Sequence, residues 1–175
     1  DGTAPLALQL VKAGDAMTAK SLWLAQCPAA DRGISNPRFI ALPSRQVTPF
    51  DWNLTSSGDA FAALSTAPSS GLKARVTGAS SHMIAWQLLT LIPGNYRLTW
   101  AVSSSGNRLQ SPVSLSLSCN SEKRIPLTVR TSNVEGMHLA DLDLDGTCPA
   151  QYLSIWLAPT AMDIVVETIG IEAVR

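Results

Sequence analysis

The chain is 175 residues long and carries 13 basic and 13 acidic side chains, so its formal net charge is zero. A length of this order suits one domain with a small extension. The charge balance excludes a surface built for general attraction to nucleic acid or to an anionic membrane, and no apolar run reaches the roughly 18 residues that a membrane span requires.

Residues 1–30 differ in character from the rest of the chain. Thr3 stands where a cap precedes Pro5, and the apolar run after it ends at Ala13-Gly14, where glycine suits a helix C-terminus. Asp15 can cap a second helix, in which Ala16, Ala19, Leu22 and Trp23 fall at helical spacing. Neither helix is long enough to be stable alone in water, so both must pack on something. The Ala and Leu content of this segment resembles a helical-repeat unit such as a tetratricopeptide repeat. From Cys27 to Arg38 the sequence CPAADRGISNPR is loop and linker chemistry. The expected division is a helical extension over 1–30 and a β-sandwich domain over 35–175.

The first strands of that domain are short, at 39–42 and 61–64, with an irregular segment over 43–58 between them. Thereafter strands come quickly, at 72–76, 82–92, 95–103, 113–119, 125–129, 137–144, 151–157 and 163–174. Turn clusters such as SSGN at 104–107 and NVEG at 133–136 separate them. The strongest local signal spans 88–105, LLTLIPGNYRLTWAVSSS. There Leu89 and Leu91 alternate with Thr90, and Tyr96, Leu98 and Trp100 alternate with Arg97 and Thr99. Between the two runs stands Pro93-Gly94-Asn95. Proline cannot donate to a ladder and glycine accepts positive φ, so the chain reverses there. The pattern predicts a β-hairpin whose Tyr96, Leu98 and Trp100 face centres the core. Eight or so strands with no helices between them predict a mainly-β fold, an antiparallel β-sandwich of the jelly-roll kind, with a short N-terminal helical extension.

Three cysteines, Cys27, Cys119 and Cys148, allow three single pairings, and sequence alone does not choose among them. A Cys119–Cys148 bond is the expected one, because both residues lie in the β-rich part and at strand ends; Cys27 is then free. Only 15% of residues are charged, against 11 Gly and 11 Pro. With a disulfide, that composition suits an extracytoplasmic setting, periplasmic or secreted.

Catalytic signals are sparse. The histidines are His82 and His138, and no G-x-S-x-G, H-E-x-x-H or Gly-rich phosphate loop is present. The expectation is a protein that is not an enzyme and uses no cofactor. Asp141, Asp143, Asp145 and Gly146 spell the start of a calcium loop, but its twelfth position is Tyr152 rather than a bidentate Glu. Leu142 and Leu144 alternate with the acids, so a strand with one acidic, solvated face is the plainer reading, and no metal is expected.

The five tryptophans are more informative. Sugar binding needs flat aromatic faces for the C–H side of a pyranose, with amides and carboxylates nearby for its hydroxyls. Trp100 lies on the core register, Trp156 between Ile155 and Leu157 in what reads as a buried position, and Trp23 in the helical extension. The expected ligand-binding residues are therefore Trp52, in the loop PFDWNLTSSG, and Trp86, on the face opposite Leu89 and Leu91. Asp51 and Asn53 supply an acceptor and an amide on either side of Trp52. The structural alternative has Phe50 and Trp52 plugging the open end of the sandwich, with Asp51 capping a turn.

Asn36-Pro37-Arg38-Phe39 resembles the N-x-x-F opening of galactose-binding-like jelly rolls, the fold of many carbohydrate-binding modules. The run Leu91 to Leu98 resembles their L-x-P-G-x-x-Y-x-L hairpin, with Tyr96 one position early, and Ile171-Glu172-Ala173-Val174 resembles their closing I-D-D-V strand. The similarity spans residues 35–175. It implies a sandwich and a glycan partner. It also implies a calcium at the sandwich edge, held by an acid of the last strand, but Ala173 stands here for the second acid of that pattern. Fold alone does not carry function. The leading expectation is a non-catalytic extracytoplasmic binding module for glycan. The alternative is a protein-interaction or assembly domain at the C-terminus of a larger helical-repeat or cell-envelope protein, with its protein partner bound through residues 1–30.

Overall fold

Among the residues that the computed structural model describes (3–26, 33–41, 47–65, 70–104, 111–119 and 123–174), a glycine and a carboxylate set the first two elements. Helix α1 (Thr3–Lys12) ends where Gly14 takes φ +86°, and the N–H groups of Gly14 and Asp15 bond back to the Val11 and Leu10 carbonyls. Asp15 Oδ1 then accepts the Thr18 N–H at 3.1 Å and caps α2 (Ala16–Gln26). Ala7, Ala16, Ala19 and Trp23 are buried against Phe50, Leu88 and Ala150 of the β-part. The Trp23 and Phe50 ring centroids are 5.6 Å apart. Short helices gain their stability from such packing.

Among the described residues eleven strands follow. They are β1 (Asn53–Leu54), β2 (Ala60–Leu64), β3 (Leu72–Val76), β4 (His82–Leu89), β5 (Gly94–Ser104) and β6 (Val113–Cys119). The rest are β7 (Lys123–Ile125), β8 (Thr128–Arg130), β9 (Met137–Leu144), β10 (Gln151–Leu157) and β11 (Ile164–Ala173). They form two antiparallel sheets, ordered β1-β4-β10-β6-β7 and β2-β3-β11-β5-β9-β8. This is the expected β-sandwich with its helices at the N-terminus. No helix among the described residues is long and apolar enough to cross a membrane.

The core lies between the sheets. Tyr96, Leu98 and Trp100 of β5 meet Leu153, Ile155 and Leu157 of β10 and Leu117 of β6 there, each fully buried side chain contributing about 1.5–3 kcal/mol. The expected hairpin at Pro93 is not one, however. Strands β4 and β5 lie in different sheets, so Leu91–Gly94 is a corner between layers. Its cause is the burial on both sides: Leu89 and Tyr96 both face the same core, from opposite walls. The corner is held by Gln151 Oε1, which accepts the Leu91 N–H at 2.9 Å, and by the Tyr96 hydroxyl, which donates to the Ile92 carbonyl at 2.9 Å.

Two further expectations change. The strand expected over 125–129 is β7 and β8, which belong to different sheets. Pro126 stands at the break, where it has no N–H to extend a ladder. The strand expected over 39–42 is not formed in its described residues, because Phe39 takes φ +52° in a turn closed by its N–H to the Asn36 carbonyl. Cys119 and Cys148 are bonded, as expected, with Cα atoms 5.5 Å apart. Cys27 lies outside the described residues.

On the six-stranded sheet Asp141 accepts from Arg97 Nε at 2.9 Å and also pairs with Arg130. The Arg97 hydrogen bond, helped by the two positive charges, holds the Asp141 carboxyl below its usual range. A depressed folded pKa stabilises the fold above the unfolded value of about 4 and loses that contribution as pH falls through the folded value. An exposed pair is worth little, so Asp141→Asn should melt slightly below the wild type at neutral pH. Scanning calorimetry should show that gap closing as the pH drops below about 4; a gap that widens in acid contradicts the assignment.

Candidate functional site

The site begins with a turn that decides which side chains face in. Thr48 donates through its N–H and its hydroxyl to Asp51 Oδ2, at 3.0 and 2.7 Å, and the Asp51 N–H returns to the Thr48 carbonyl. The Leu88 N–H donates to the Pro49 carbonyl at 2.8 Å and ties this turn to β4. Asn53 Nδ2 donates to the Thr48 and Asp51 carbonyls, at 3.1 and 2.8 Å. With Asn53 paired opposite Trp86 on the outer side of the sheet, strand alternation sends Trp52 inward.

Trp52 is 5% exposed and belongs to the main core. Its ring lies 4.9 Å from that of Phe39, and its Nε1–H donates to the Asn36 carbonyl at 3.1 Å. The Asn36 side chain in turn binds both the N–H and the carbonyl of Ile40, while the fully buried Gln87 amide does the same for Ser35. The expected platform at Trp52 is therefore corrected: the ring closes the end of the sandwich beneath segment 33–41. Asp51, 8% exposed, is committed to Thr48 rather than presented to a ligand.

The other two expected residues come together. Asn53 and Trp86 are direct partners in the β1–β4 ladder, and both line an open groove of about 410 Å³. Ala4, Pro5 and Leu8 of α1 form one wall, and Val47 and Pro49 form the other. Among the described residues that line it, none carries a charged side chain. The groove exists because α1 is held above the sheet by the buried alanines and Trp23, leaving its first turn beside β4.

The outer face continues from the groove across the sheet. Trp86 lies opposite Ser154 of β10, which lies opposite Ser116 of β6. The Trp86 and Tyr152 ring centroids are 5.8 Å apart, tilted by 50°. Trp156, read from sequence as buried, is only partly so, and its Nε1–H donates to Ser116 Oγ at 3.0 Å. The signal for it was the period of β10: Leu153, Ile155 and Leu157 face the core, so Tyr152, Ser154 and Trp156 face outward. Trp86, Tyr152 and Trp156 are each partly buried on this face, with Ser154 between them only 8% exposed.

The acidic motif lies elsewhere. Asp143 and Asp145 border a hollow of about 70 Å³ beside the disulfide, with Lys123 and Arg124. The Asp145 carboxyl is held below its usual range, chiefly by the Thr147 hydroxyl. Among the described residues no group of three or more His, Cys, Asp or Glu side chains is placed to hold a metal ion.

No family model and no curated protein matches the chain. Among solved structures it is similar to the carbohydrate-binding module TmCBM61, determined in complex with β-1,4-galactotriose. The two are 12% identical over 70% of this chain and 88% of that one, with a TM-score of 0.42.

Proposed function

We propose that this chain is a non-catalytic, extracytoplasmic binding module for glycan, with Trp86 and Asn53 at the floor of its binding groove. The single observation that supports it most is the pairing of a partly exposed indole with a side-chain acceptor in a groove of about 410 Å³, within the range of small-ligand sites. Trp86 offers a flat apolar surface to the C–H face of a pyranose. Both Asn53 Nδ2 hydrogens are spent on the backbone, so Oδ1 is the atom left to accept a sugar hydroxyl. The partly exposed ring of Trp156 beyond the groove extends the surface for a chain longer than one sugar. In this reading α1 supplies one wall, and the β-part supplies the floor and the other wall.

A glycan array followed by calorimetric titration tests the assignment. The wild type should bind, and Trp86→Ala should abolish binding while still unfolding in one cooperative transition, with a smaller stability loss than a fully buried Trp would show, since the ring is only partly buried. Retained affinity in that variant contradicts the site.

One observation favours a second reading. Leu6 and Met17 on the helices are 45% and 53% exposed, and Val47, which lines the groove with α1, is 60% exposed. An apolar border of this kind suits a protein partner held through residues 1–30. An array with no glycan bound by the wild type puts that reading first.

A further inference from the structure

Resting on the glycan reading above, we propose that the groove takes a sugar through a methyl-bearing edge, as in a 6-deoxy or an acetylated sugar, and disfavours the fully hydroxylated counterpart. The lining carries the inference. Ala4, Pro5, Leu8, Val47 and Pro49 make both walls aliphatic, and their side chains neither donate nor accept. Pro5 also removes an N–H from the first turn of α1, and the Pro49 carbonyl is already bonded to Leu88. Among the described lining residues, the side-chain polar atoms left to a ligand are Asn53 Oδ1 and the Trp86 indole N–H.

A hydroxyl pressed against such a wall loses water and gains no side-chain partner there, which is the costly half of hydrogen-bond exchange. A methyl in the same place gains from burial. Since none of the described lining residues carries a charged side chain, a carboxylate or phosphate would meet no side-chain counter-charge among them. The occupant that fits is an uncharged ring stacked on Trp86, one hydroxyl toward Asn53, with a methyl against Leu8 and Val47.

The experiment uses the full chain and two matched pairs of methyl glycosides, titrated to millimolar concentration and followed by NMR. One pair is methyl β-D-galactoside and its 6-deoxy counterpart; the other is methyl β-D-glucoside and its 2-acetamido-2-deoxy counterpart. The methyl-bearing member of at least one pair should bind about tenfold tighter, the cost of one unsatisfied buried hydroxyl. The first pair reads the deoxy source of the methyl and the second the acetyl source. Leu8→Gln should bring that ratio close to one, because it sets an amide in the wall. Leu8 is 41% exposed and Gln is a good helix former, so α1 should persist, which circular dichroism checks. Equal affinities, a preference for the hydroxylated member, or a preference untouched by Leu8→Gln overturns the inference while array binding keeps the glycan reading standing. No binding of any of the four also overturns it, and a blank array takes the glycan reading with it.

Discussion

Trp52→Ala should lower the stability of the fold by about 3–5 kcal/mol, although the residue sits in a polar, loop-like stretch of sequence. The indole is 5% exposed and packed on Phe39, and its removal leaves a large cavity at the end of the sandwich. It also strips the Asn36 carbonyl of the indole donor. Asn36 and Phe39 both hold positive φ, at 49° and 52°, conformations that cost non-glycine residues energy and persist only where packing enforces them. The variant therefore loses the ring and the contact that holds that turn. For a chain of this size the expected drop in melting temperature is roughly 10 °C or more. Trp52→Phe should restore much of the packing but not the hydrogen bond, and fall between the two. Urea unfolding measures all three. A loss below about 1 kcal/mol for the alanine variant, within the range of an ordinary surface change, contradicts the plugging role.

Replacing both bonded cysteines, Cys119→Ala with Cys148→Ala, should cost about 3–4 kcal/mol, the chain-entropy value for a loop of this length. The two residues are separated by 29 positions, and the bond joins the end of β6 to the segment that leads into β10. Those strands already pair there, with Cys119 opposite Gln151, so the crosslink fits the folded ladder and acts chiefly on the unfolded chain. Comparing denaturation of the oxidised protein with the double variant gives the number, and peptide mapping without reductant should recover one Cys119–Cys148 linked pair. Unchanged stability, or alkylatable thiols at both positions in protein from its natural source, contradicts the expectation and removes the main support for an oxidising compartment.

Where a strand alternates strictly, its limits were legible in the sequence: 72–76, 113–119, 137–144 and 151–157 are the observed bounds of β3, β6, β9 and β10. Alternation is local, and it says nothing about which sheet a strand joins. The runs either side of Pro93 look like a hairpin because each is amphipathic toward a core; that they face it from opposite layers is a long-range fact. The direction of Trp52 was hidden for a related reason. A two-residue strand, β1, sets it, and two residues carry no readable period. The apolar neighbours Ile155 and Leu157 suggest burial for Trp156, whereas adjacent residues of a strand point to opposite faces. The sequence marks Asn53 and Trp86 in different places, one in a loop and one on a strand face. Only the β1–β4 pairing and the seating of α1 bring them to one groove.

The most direct measurement is heteronuclear NMR of the five indole N–H groups during titration with the strongest glycan from the array. The Trp86 signal should move and saturate with the binding curve, while those of Trp52 and Trp100, 5% and 4% exposed, stay in place. A Trp86 signal that stays fixed while Trp52 or the amides of α1 and α2 alone respond contradicts the assignment of the groove.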